Sequence, residues 1–483
     1  MDAVAQNRQA AAAAGIAPVE PERPFGPRFM TPMFVGSALN PVNSSVIATA
    51  LVSIAAAMHV SVGRTSILIS SLYLTSAIAQ PTAGRLAEEF GPRRVFLAGI
   101  AIVFAGGLLG GFAQNMAVLV VSRVLIGLGT SAGYPSAMLL IRRRASAVGL
   151  QSPPGTVLGG LSISAAATVA IGPTFGGLLV GWFNWRAAFF VNVPVTVAAF
   201  IMALLWIERD PDTLRGRSAR EVVTRIDLAG IAGFGGAMTA LLVFLLSLPK
   251  ADWTALAVSV VVAAGLVYWE LRASNPFLDV RLLASNLVLT RTYLRYGLTL
   301  LGSYVILYGL TQWLEAAHGL SAYEAGLALI PMGVLSGLTA RVVSQHVRLR
   351  LSLTVSALIM LAGATSTLFL TSRTPLIAII GVTGLFGLMT GSSSVTNQTA
   401  LYRESPPEKL GTASGLLRTF GYIGSIASAT ITGLVFRTRT DDSGLHHASL
   451  IMIGVGVVVL LMTVLDRKLA AADRDAHVKV HAG

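Results

Sequence analysis

The sequence contains no cysteine and few charged residues. Without cysteine, the chain can form neither a disulfide nor a thiolate nucleophile or metal ligand. Asp, Glu, Lys and Arg make up 12% of the 483 residues, whereas soluble globular chains carry about 25%. Hydrophobic residues make up 54%, which is more apolar surface than a soluble core needs. The composition therefore predicts an all-α membrane protein.

Apolar runs long enough to cross a bilayer as helices, about 20 residues each, recur along the chain. There are fourteen: six before residue 207, two within 228–270 and six after residue 293. Two bundles around a cavity are the general plan of secondary transporters with internal repeats. The predicted 6+2+6 organisation comprises a disordered tail at 1–29, a six-helix bundle at 30–206, linkers with an inserted two-helix hairpin at 207–292, a second six-helix bundle at 293–466, and a tail at 467–483.

The net charge of +13 could indicate a nucleic-acid partner, but the positions of the basic residues argue against one. Sorted by alternate loops, 27 of the Lys and Arg residues fall on one side of the predicted membrane, 6 on the other and 2 within spans. An excess of basic residues marks the cytoplasmic side. Both tails are therefore predicted to be cytoplasmic, and the lipid bilayer is the expected partner surface. The preference for Arg over Lys favours a bacterial inner (plasma) membrane, and we expect a monomer.

A short charged segment, Gly-Arg-Leu-Ala-Glu-Glu-Phe-Gly-Pro-Arg-Arg, lies between the second and third predicted spans. We predict a loop in which the glycines permit tight turning, the arginines hold the membrane surface, and Glu88 caps a helix start. The alternative is an ordinary basic cytoplasmic loop. The residues assigned to this gate loop are Gly84, Arg85, Glu88, Gly91, Arg93 and Arg94.

This segment resembles the Gly-x-Leu-Ala-Asp-Arg-x-Gly-Arg-Arg loop of the major facilitator superfamily. The resemblance implies a major facilitator fold in which the acidic position braces one bundle against the other. The partner would lie near Gly411 and Thr412. Here Glu88 replaces the usual Asp and Glu89 replaces the usual Arg.

The fifth span contains a glycine-proline motif, whose members are Gly172, Pro173, Gly176 and Gly177. Proline removes a helical hydrogen bond, and the glycines let a neighbouring helix approach closely, so the residues alone predict helix packing. The motif resembles Gly-Pro-x-x-Gly-Gly of the superfamily's drug:proton antiporters (multidrug efflux proteins), and the nearby Trp-Arg and Asn-x-Pro resemble their 14-span subgroup. This resemblance implies export.

Arg123 lies within the fourth span, where a guanidinium costs at least about 2.5 kcal/mol unless it faces the interior or water. The segment resembles the superfamily motif Arg-x-x-x-Gly-x-Gly, which implies a role in proton movement or in holding the cavity. The alternative is a structural arginine bonded to backbone carbonyls. Asn43 occupies the place where the antiporters usually have an Asp, and no carboxylate is predicted at mid-membrane. The coupling candidates are therefore Arg123, Glu315 and Glu324, and the alternative is transport that uses no proton at all.

Polar side chains on several spans are predicted to line the cavity, although each could instead form an interhelical hydrogen bond. The candidates are Asn40, Asn43, Tyr73, Gln80, Tyr134, Tyr304, Tyr308, Asn397, Gln398 and Arg418.

Together these features predict a secondary active transporter that exports amphipathic small molecules by alternating access, driven by a proton gradient and without a cofactor or metal. Neutral or anionic substrates are favoured because no mid-membrane carboxylate is available to pair with a dication. An importer or facilitator on the same fold is the alternative. A membrane-embedded enzyme is less consistent with the sequence, because the histidines are assigned to loops or tails and form no catalytic cluster.

Overall fold

The computed structural model describes residues 24–148, 155–210, 227–248, 250–274, 276–344, 348–404, 410–466 and 469, and the regular structure in these ranges is helical. Six long helices form the first half: α1 Pro27–Ala57, α2 Ser66–Phe90, α3 Pro92–Gly111, α4 Met116–Ala147, α5 Gly155–Phe183 and α6 Ala187–Trp206. A hairpin follows, comprising α7 Leu228–Ser247 and α8 Trp253–Glu270. The second half contains α9 287–316, α10 Ala322–Ser344, α11 Leu349–Leu368, α12 Leu376–Glu404, α13 Leu410–Val435 and α14 Asp442–Val464.

Eleven helices in the described ranges are long and apolar enough to cross a membrane. The prediction of an all-helical membrane protein is therefore confirmed. Helices α5, α9 and α13 are long but are not among the eleven. In α9 the first half carries Arg291 and Arg295, which lower its hydropathy. The fourteen-span count thus remains a prediction.

Helices α9 and α1 are each interrupted near their middle. A π-helical segment, Val305–Leu310, divides α9, and a 3-10 segment, Ile47–Ala50, divides α1. Both segments are buried. Such departures from α geometry re-aim the side chains around them, and the tyrosines at 304 and 308 flank or lie within the π segment.

The two halves of the chain meet along two pairs of helices, and glycines bring the backbones together in both. Between α13 and the 3-10 turn Val62–Thr65 that leads into α2, a Cβ on Gly63 would lie 2.6 Å from the Gly433 carbonyl oxygen. Between α5 and α10, a Cβ on Gly326 would lie 2.6 Å from the Pro173 carbonyl oxygen. We call these contacts the α2/α13 seam and the α5/α10 seam. Both require glycine because a side chain would separate the helices.

The chain ends define the two sides of the bundle. Helix α1 begins on the side where α14 ends, and we call this the tail side. Arg350 at the start of α11 donates to the Val464 carbonyl oxygen at 2.7 Å, and Arg144 at the end of α4 donates to the Pro24 carbonyl oxygen at 3.1 Å. The opposite side, where α13 ends at Val435, is called the far side.

The α7–α8 hairpin lies across the α2/α13 seam. Phe234 of α7 packs in one apolar cluster with Ala77 of α2, and Tyr422 of α13 packs against the same cluster. The other faces of the hairpin are largely uncovered, since only 22% and 17% of the two spans are buried. Their exposed side chains are apolar, including Val260 and Val261, which suits contact with lipid. The hairpin therefore joins the outside of both bundles.

Candidate functional site

The segment predicted as an eleven-residue gate loop is mostly helical, so that prediction is wrong. Helix α2 continues through Gly84 and Arg85 to Phe90, and α3 starts at Pro92. Only Gly91, at φ +99°, makes the turn. The sequence between the two glycines consists mainly of strong helix formers, which explains why the helix continues until a residue that can adopt positive φ.

The carboxylate at the start of α3 belongs to Asp210, which follows α6, and not to Glu88 as predicted. Asp210 accepts hydrogen bonds from the backbone N–H groups of Arg94 at 3.0 Å and Arg93 at 3.4 Å, and from Arg143 Nη1 at 2.9 Å. A negative charge at a helix N-terminus is stabilising. Glu88 is exposed in the last turn of α2, on the wrong side of Gly91 to cap α3.

Arg93 and Arg85 also bind backbone oxygens on the tail side. Arg93 Nη2 donates to the Leu204 carbonyl oxygen at 2.9 Å, and Arg85 Nη2 donates to the Pro276 carbonyl oxygen at 2.5 Å. The side chains at 411 and 412, the predicted partners of Glu88, lie outside the described residues. The bracing role of Glu88 therefore stays a prediction.

Arg123 is buried on α4, with 1% of its surface exposed. Its Nε donates to the Leu68 carbonyl oxygen at 3.0 Å and its Nη1 to the Asn43 carbonyl oxygen at 3.1 Å. These bonds match the alternative of a structural arginine. Its Nη2, however, is buried and has no partner within the described part of the chain, so one donor remains available at the centre of the molecule.

Two of the predicted cavity residues on α1 are bonded within the first bundle. Asn43 and Asn192 exchange hydrogen bonds at 2.7 and 3.0 Å through their side-chain amides, and both residues are buried. Asn40 donates to Ser76 Oγ at 2.9 Å and to Thr130 Oγ1 at 3.0 Å. These amides therefore form interhelical hydrogen bonds, which was the alternative to lining the cavity. The bonds connect α1 to α2, α4 and α6.

Three predicted tyrosines do meet, and they bridge the two bundles. The hydroxyls of Tyr73 and Tyr308 are 2.8 Å apart, and the Tyr308 hydroxyl donates to the Ser44 carbonyl oxygen at 2.9 Å. The Tyr304 ring lies 5.3 Å from the Tyr73 ring, edge on, and 5.6 Å from the Tyr308 ring, stacked. Tyr422 was not among the candidates, and its ring lies 5.8 Å from that of Tyr73. We call these four residues the tyrosine cluster.

Toward the tail side, two further contacts cross between the bundles. The Tyr422 hydroxyl donates to Gln80 Oε1, which joins α13 to α2. The Arg418 guanidinium carbon lies 3.5 Å from the centroid of the Tyr134 ring, a cation–π contact between α13 and α4. The predicted residues Gln80, Tyr134 and Arg418 thus lie together at the interface.

The second bundle contains a buried arginine that was not among the predicted site residues. Arg295 lies in α9 with 1% of its surface exposed. Its Nε donates to Asn397 Oδ1 at 3.0 Å and its Nη2 to Thr292 Oγ1 at 2.9 Å. Thr292 donates in turn to Glu404 at 2.8 Å. Asn397 therefore belongs to a network inside the bundle, and its neighbour Gln398 is half-buried.

Burial raises the pKa of Glu404 to about 7, although its bond from Thr292 and the Arg295 charge act in the opposite direction. Glu404 lies beyond the last residue of its membrane span, Leu401. Its position at the tail-side end of a long apolar helix could have suggested this environment from sequence. The partner on α9 could not be inferred, because it is 112 residues away.

The two predicted coupling carboxylates differ in their surroundings. Glu324 is exposed and forms a capping box with Ser321, whose backbone N–H donates to it at 2.8 Å. A capping box stabilises the start of a helix, so these bonds of Glu324 do not by themselves indicate a role in transport. Glu315, near the far-side end of α9, is half-buried, and its Oε1 is buried without a partner in the described ranges.

The glycine-proline motif of α5 contacts both bundles. A Cβ on Gly172 would overlap Ser45, and one on Gly176 would lie 2.6 Å from the Val46 carbonyl oxygen, both on α1. A Cβ on Gly177 would overlap the Ala322 carbonyl oxygen of α10. Pro173 leaves its own carbonyl facing Gly326, also on α10. The motif thus forms the α5 half of the α5/α10 seam.

Potential metal ligands are not grouped. In the portion of the chain that the structure describes, no set of three or more His, Asp or Glu residues is placed to hold a metal ion. His446 and His447 lie in the first turns of α14, not in a loop as the sequence interpretation had them.

Comparison with known proteins identifies the family. The Major Facilitator Superfamily model matches residues 33–429. The chain is 33% identical over 441 residues to the uncharacterized MFS-type transporter YwoD of Bacillus subtilis (strain 168), covering 90% of this chain and 96% of that protein. It is 29% identical to the tetracenomycin C resistance and export protein of Streptomyces glaucescens, covering 84% of this chain and 75% of that protein. Other relatives at modest identity are named as drug-resistance proteins.

The fold comparison agrees with the family match. A solved structure of a bacterial homologue of the human drug peptide transporters PepT1 and PepT2 aligns with a TM-score of 0.65 over 93% of this chain and 99% of that chain, at 13% identity. At this identity the likeness shows the fold alone. The chain therefore belongs to the Major Facilitator Superfamily and is a multi-pass membrane transporter.

Proposed function

We propose that this protein is a secondary active transporter that exports amphipathic small molecules by alternating access, coupled to protons. The observation that carries the proposal is the pair of glycine seams between the two bundles. Backbones that touch through glycine can pivot or slide with little side-chain rearrangement. Rocking of one bundle against the other is the general mechanism of transporters built from such repeats.

The direction of transport is inferred from the relatives, several of which are resistance or export proteins. We place the protein in the 14-span drug:proton antiporter subgroup, with α5, α9 and α13 as the spans beyond the eleven. The tail side then faces the cytoplasm, in line with the basic residues there. We further propose a monomer in a bacterial inner membrane.

The favoured substrates are neutral or anionic. Arg123 and Arg418 are the charged side chains beside the tyrosine cluster, one from each bundle, and Arg123 has a buried Nη2 without a partner in the described chain. An anionic group could accept from that donor, and the tyrosine rings provide an apolar surface with polar tips. A dication would meet like charge instead.

For proton coupling the candidates remain Arg123, Glu315 and Glu324. Glu315 is favoured over Glu324 because its Oε1 is buried and unpartnered in the described structure, whereas Glu324 is fully engaged in a capping box. A proton carrier needs a titratable group that can exchange partners during the cycle.

Inverted membrane vesicles test the proposal directly. With an imposed gradient, acid inside, an exporter accumulates an anionic amphipathic dye in the vesicle, and dissipating the gradient abolishes accumulation. Gly177→Val, which separates α5 from α10, should abolish it, while Gly181→Ala serves as a matched control because a Cβ at Gly181 meets nothing within 4 Å. Accumulation in the opposite direction would establish the importer alternative.

A further inference from the structure

Two carboxylates and an arginine converge where the α7–α8 hairpin meets α2 on the tail side. Glu270, the last residue of α8, is 0% exposed, and Asp227, which precedes α7, is 6% exposed. Both approach Gly230, where a Cβ would lie 2.6 Å from Glu270 Oε1 and would overlap Asp227 Oδ2. Arg85 of α2 lies close enough to Glu270 to interact with its charge.

The two carboxylates have different hydrogen-bond partners. Asp227 accepts from the Gly230 N–H at 3.0 Å, the Trp269 indole at 2.8 Å and the Phe277 N–H at 2.9 Å. Glu270 Oε1 accepts from the Leu278 N–H at 3.1 Å. Glu270 Oε2 is buried and has no partner within the described residues. Asp227 thus has three hydrogen-bond donors, while Oε2 of Glu270 retains a position that can accept a proton.

Three other charged residues near the site are Arg272, Arg281 and Glu88. The Arg272 guanidinium lies 3.6 Å from the Tyr268 ring centroid, and Arg281 donates to the Leu271 carbonyl oxygen. Glu88 of α2 is exposed. Since carboxylates this close repel when both are charged, the charge of Glu270 depends on Arg85, and a protonated Glu270 would have no ionic attraction for it.

The hairpin is attached to both bundles at opposite sides of the membrane. On the tail side, Arg85 of the first bundle donates to the Pro276 carbonyl oxygen just beyond α8. On the far side, Arg437 just beyond α13 donates to the Leu248 carbonyl oxygen at the end of α7. If the bundles rock, the distance between the two bundles must change on at least one side of the membrane. One of the two contacts that join the hairpin to the bundles must then loosen. Within the described residues, the carboxylates Asp227 and Glu270 lie at the tail-side attachment.

We propose that Glu270, with Asp227 and Arg85, forms a proton-binding latch that holds α2 against the hairpin when Glu270 is charged and releases it when Glu270 binds a proton. The latch rests on the proposed alternating access, because α2 forms one side of the α2/α13 seam. Protonation would add one proton to Glu270 Oε2 and remove its ionic attraction for Arg85. Release at the tail side then frees that end of the seam to open.

The absence of cysteine allows a direct test with spin labels on the full-length protein. Labels at Phe90→Cys and Leu271→Cys, both exposed positions, report the distance from α2 to α8. Measured in lipid nanodiscs from about pH 5 to pH 9, a range that brackets buried carboxylates, the wild-type background should show a longer distance at low pH. Glu270→Gln retains an acceptor for Leu278 but no charge, and should show the long distance at every pH.

Arg85→Gln should likewise abolish the pH response, whereas Arg272→Gln, an arginine two residues beyond Glu270, should retain it. A wild-type distance that does not change with pH, or a Glu270→Gln variant that keeps the wild-type response, would overturn the latch. The readout requires no cargo. If the distance does not respond to pH but the vesicles still transport, the latch is wrong and the proposed function stands. If the distance responds to pH but the vesicles do not transport, the latch stands and the proposed function is wrong.

Discussion

Replacing Gly91 by alanine should weaken the tail-side joint between α2 and α3 more than any other single methyl group added to this segment. At φ +99°, an L-residue costs about 1–2 kcal/mol. The new Cβ would also lie 2.7 Å from Asp210 Cβ and overlap the carboxyl carbon, which forces the carboxylate away from its donors. Hydrogen bonds to charged groups contribute about 1.5–3 kcal/mol. The total is roughly 2.5–5 kcal/mol.

Gly84 provides the matched control in the same motif. It lies within α2, and a Cβ there would make ordinary contact with Pro135 Cβ at 3.6 Å. Alanine is favoured over glycine inside a helix by about 1 kcal/mol, so Gly84→Ala should preserve or raise the melting temperature. Thermal unfolding of the detergent-solubilised protein, followed by tryptophan fluorescence, compares the two variants.

A second background separates the backbone cost from the overlap. In Asp210→Gly, the atoms that the new Cβ would meet are absent, so adding Gly91→Ala should cost only the backbone part. Equal melting temperatures for Gly91→Ala and Gly84→Ala would refute the reasoning. It would also fail if Gly91→Ala cost as much in the Asp210→Gly background as in the wild type, because the overlap would then contribute nothing.

Two further predictions concern the buried networks of each bundle. Burial raises the pKa of Glu404 to about 7, so the folded protein holds its proton more tightly than the unfolded chain, whose value is about 4.3. The contribution of Glu404 to stability is therefore fully present below about pH 4.3 and falls by up to about 3 kcal/mol as pH rises toward 7. Comparison of melting curves should show this loss in the wild type relative to Glu404→Gln. Asn43→Ala should cost about 1–3 kcal/mol by leaving the Asn192 amide oxygen buried without its donor, and Asn43→Ala/Asn192→Ala should cost less than the sum of the single changes. Additive losses in that double-mutant cycle would contradict the reciprocal amide pair.

The membrane helices and the family could be predicted from the sequence because both depend on local patterns. Twenty apolar residues in a row predict a span whatever their neighbours, and the Gly-Pro-x-x-Gly-Gly segment is contiguous. The exceptions have physical causes. The charged segment after Gly84 was predicted as a loop from its charges, but its helix formers continue α2 to Phe90. Charge is compatible with a helix end at a membrane surface, so composition did not decide the conformation.

The partners in the site could not be predicted in the same way, because each bond joins residues far apart in sequence. Asp210 reaches the start of α3 across 116 residues, and Asn192 meets Asn43 across 149. Polar residues on spans were selected as cavity candidates, but the sequence could not distinguish a residue facing the interface, such as Tyr73, from one satisfied inside a bundle, such as Asn43. Both are polar side chains in apolar helices. Only the rotation of each helix about its axis separates them.

Polar contacts inside a bundle and polar contacts between the bundles have different consequences for how the transporter works. In the first bundle the Asn43 and Asn192 amides bond to each other, and Arg123 bonds to backbone oxygens. These bonds hold the helices of the bundle together, so we expect the bundle to move as one rigid body. Three polar contacts that cross between the bundles, and that the proposed rocking would change, are Tyr73 with Tyr308, Gln80 with Tyr422, and Tyr134 with Arg418. Each involves a tyrosine, whose hydroxyl can donate or accept and whose ring keeps an apolar contact when the hydrogen bond breaks. If the proposed export of amphipathic substrates holds, a molecule that offers an acceptor and an apolar face could replace either half of such a contact. We therefore propose that the residues that hold the bundles together also bind the substrate.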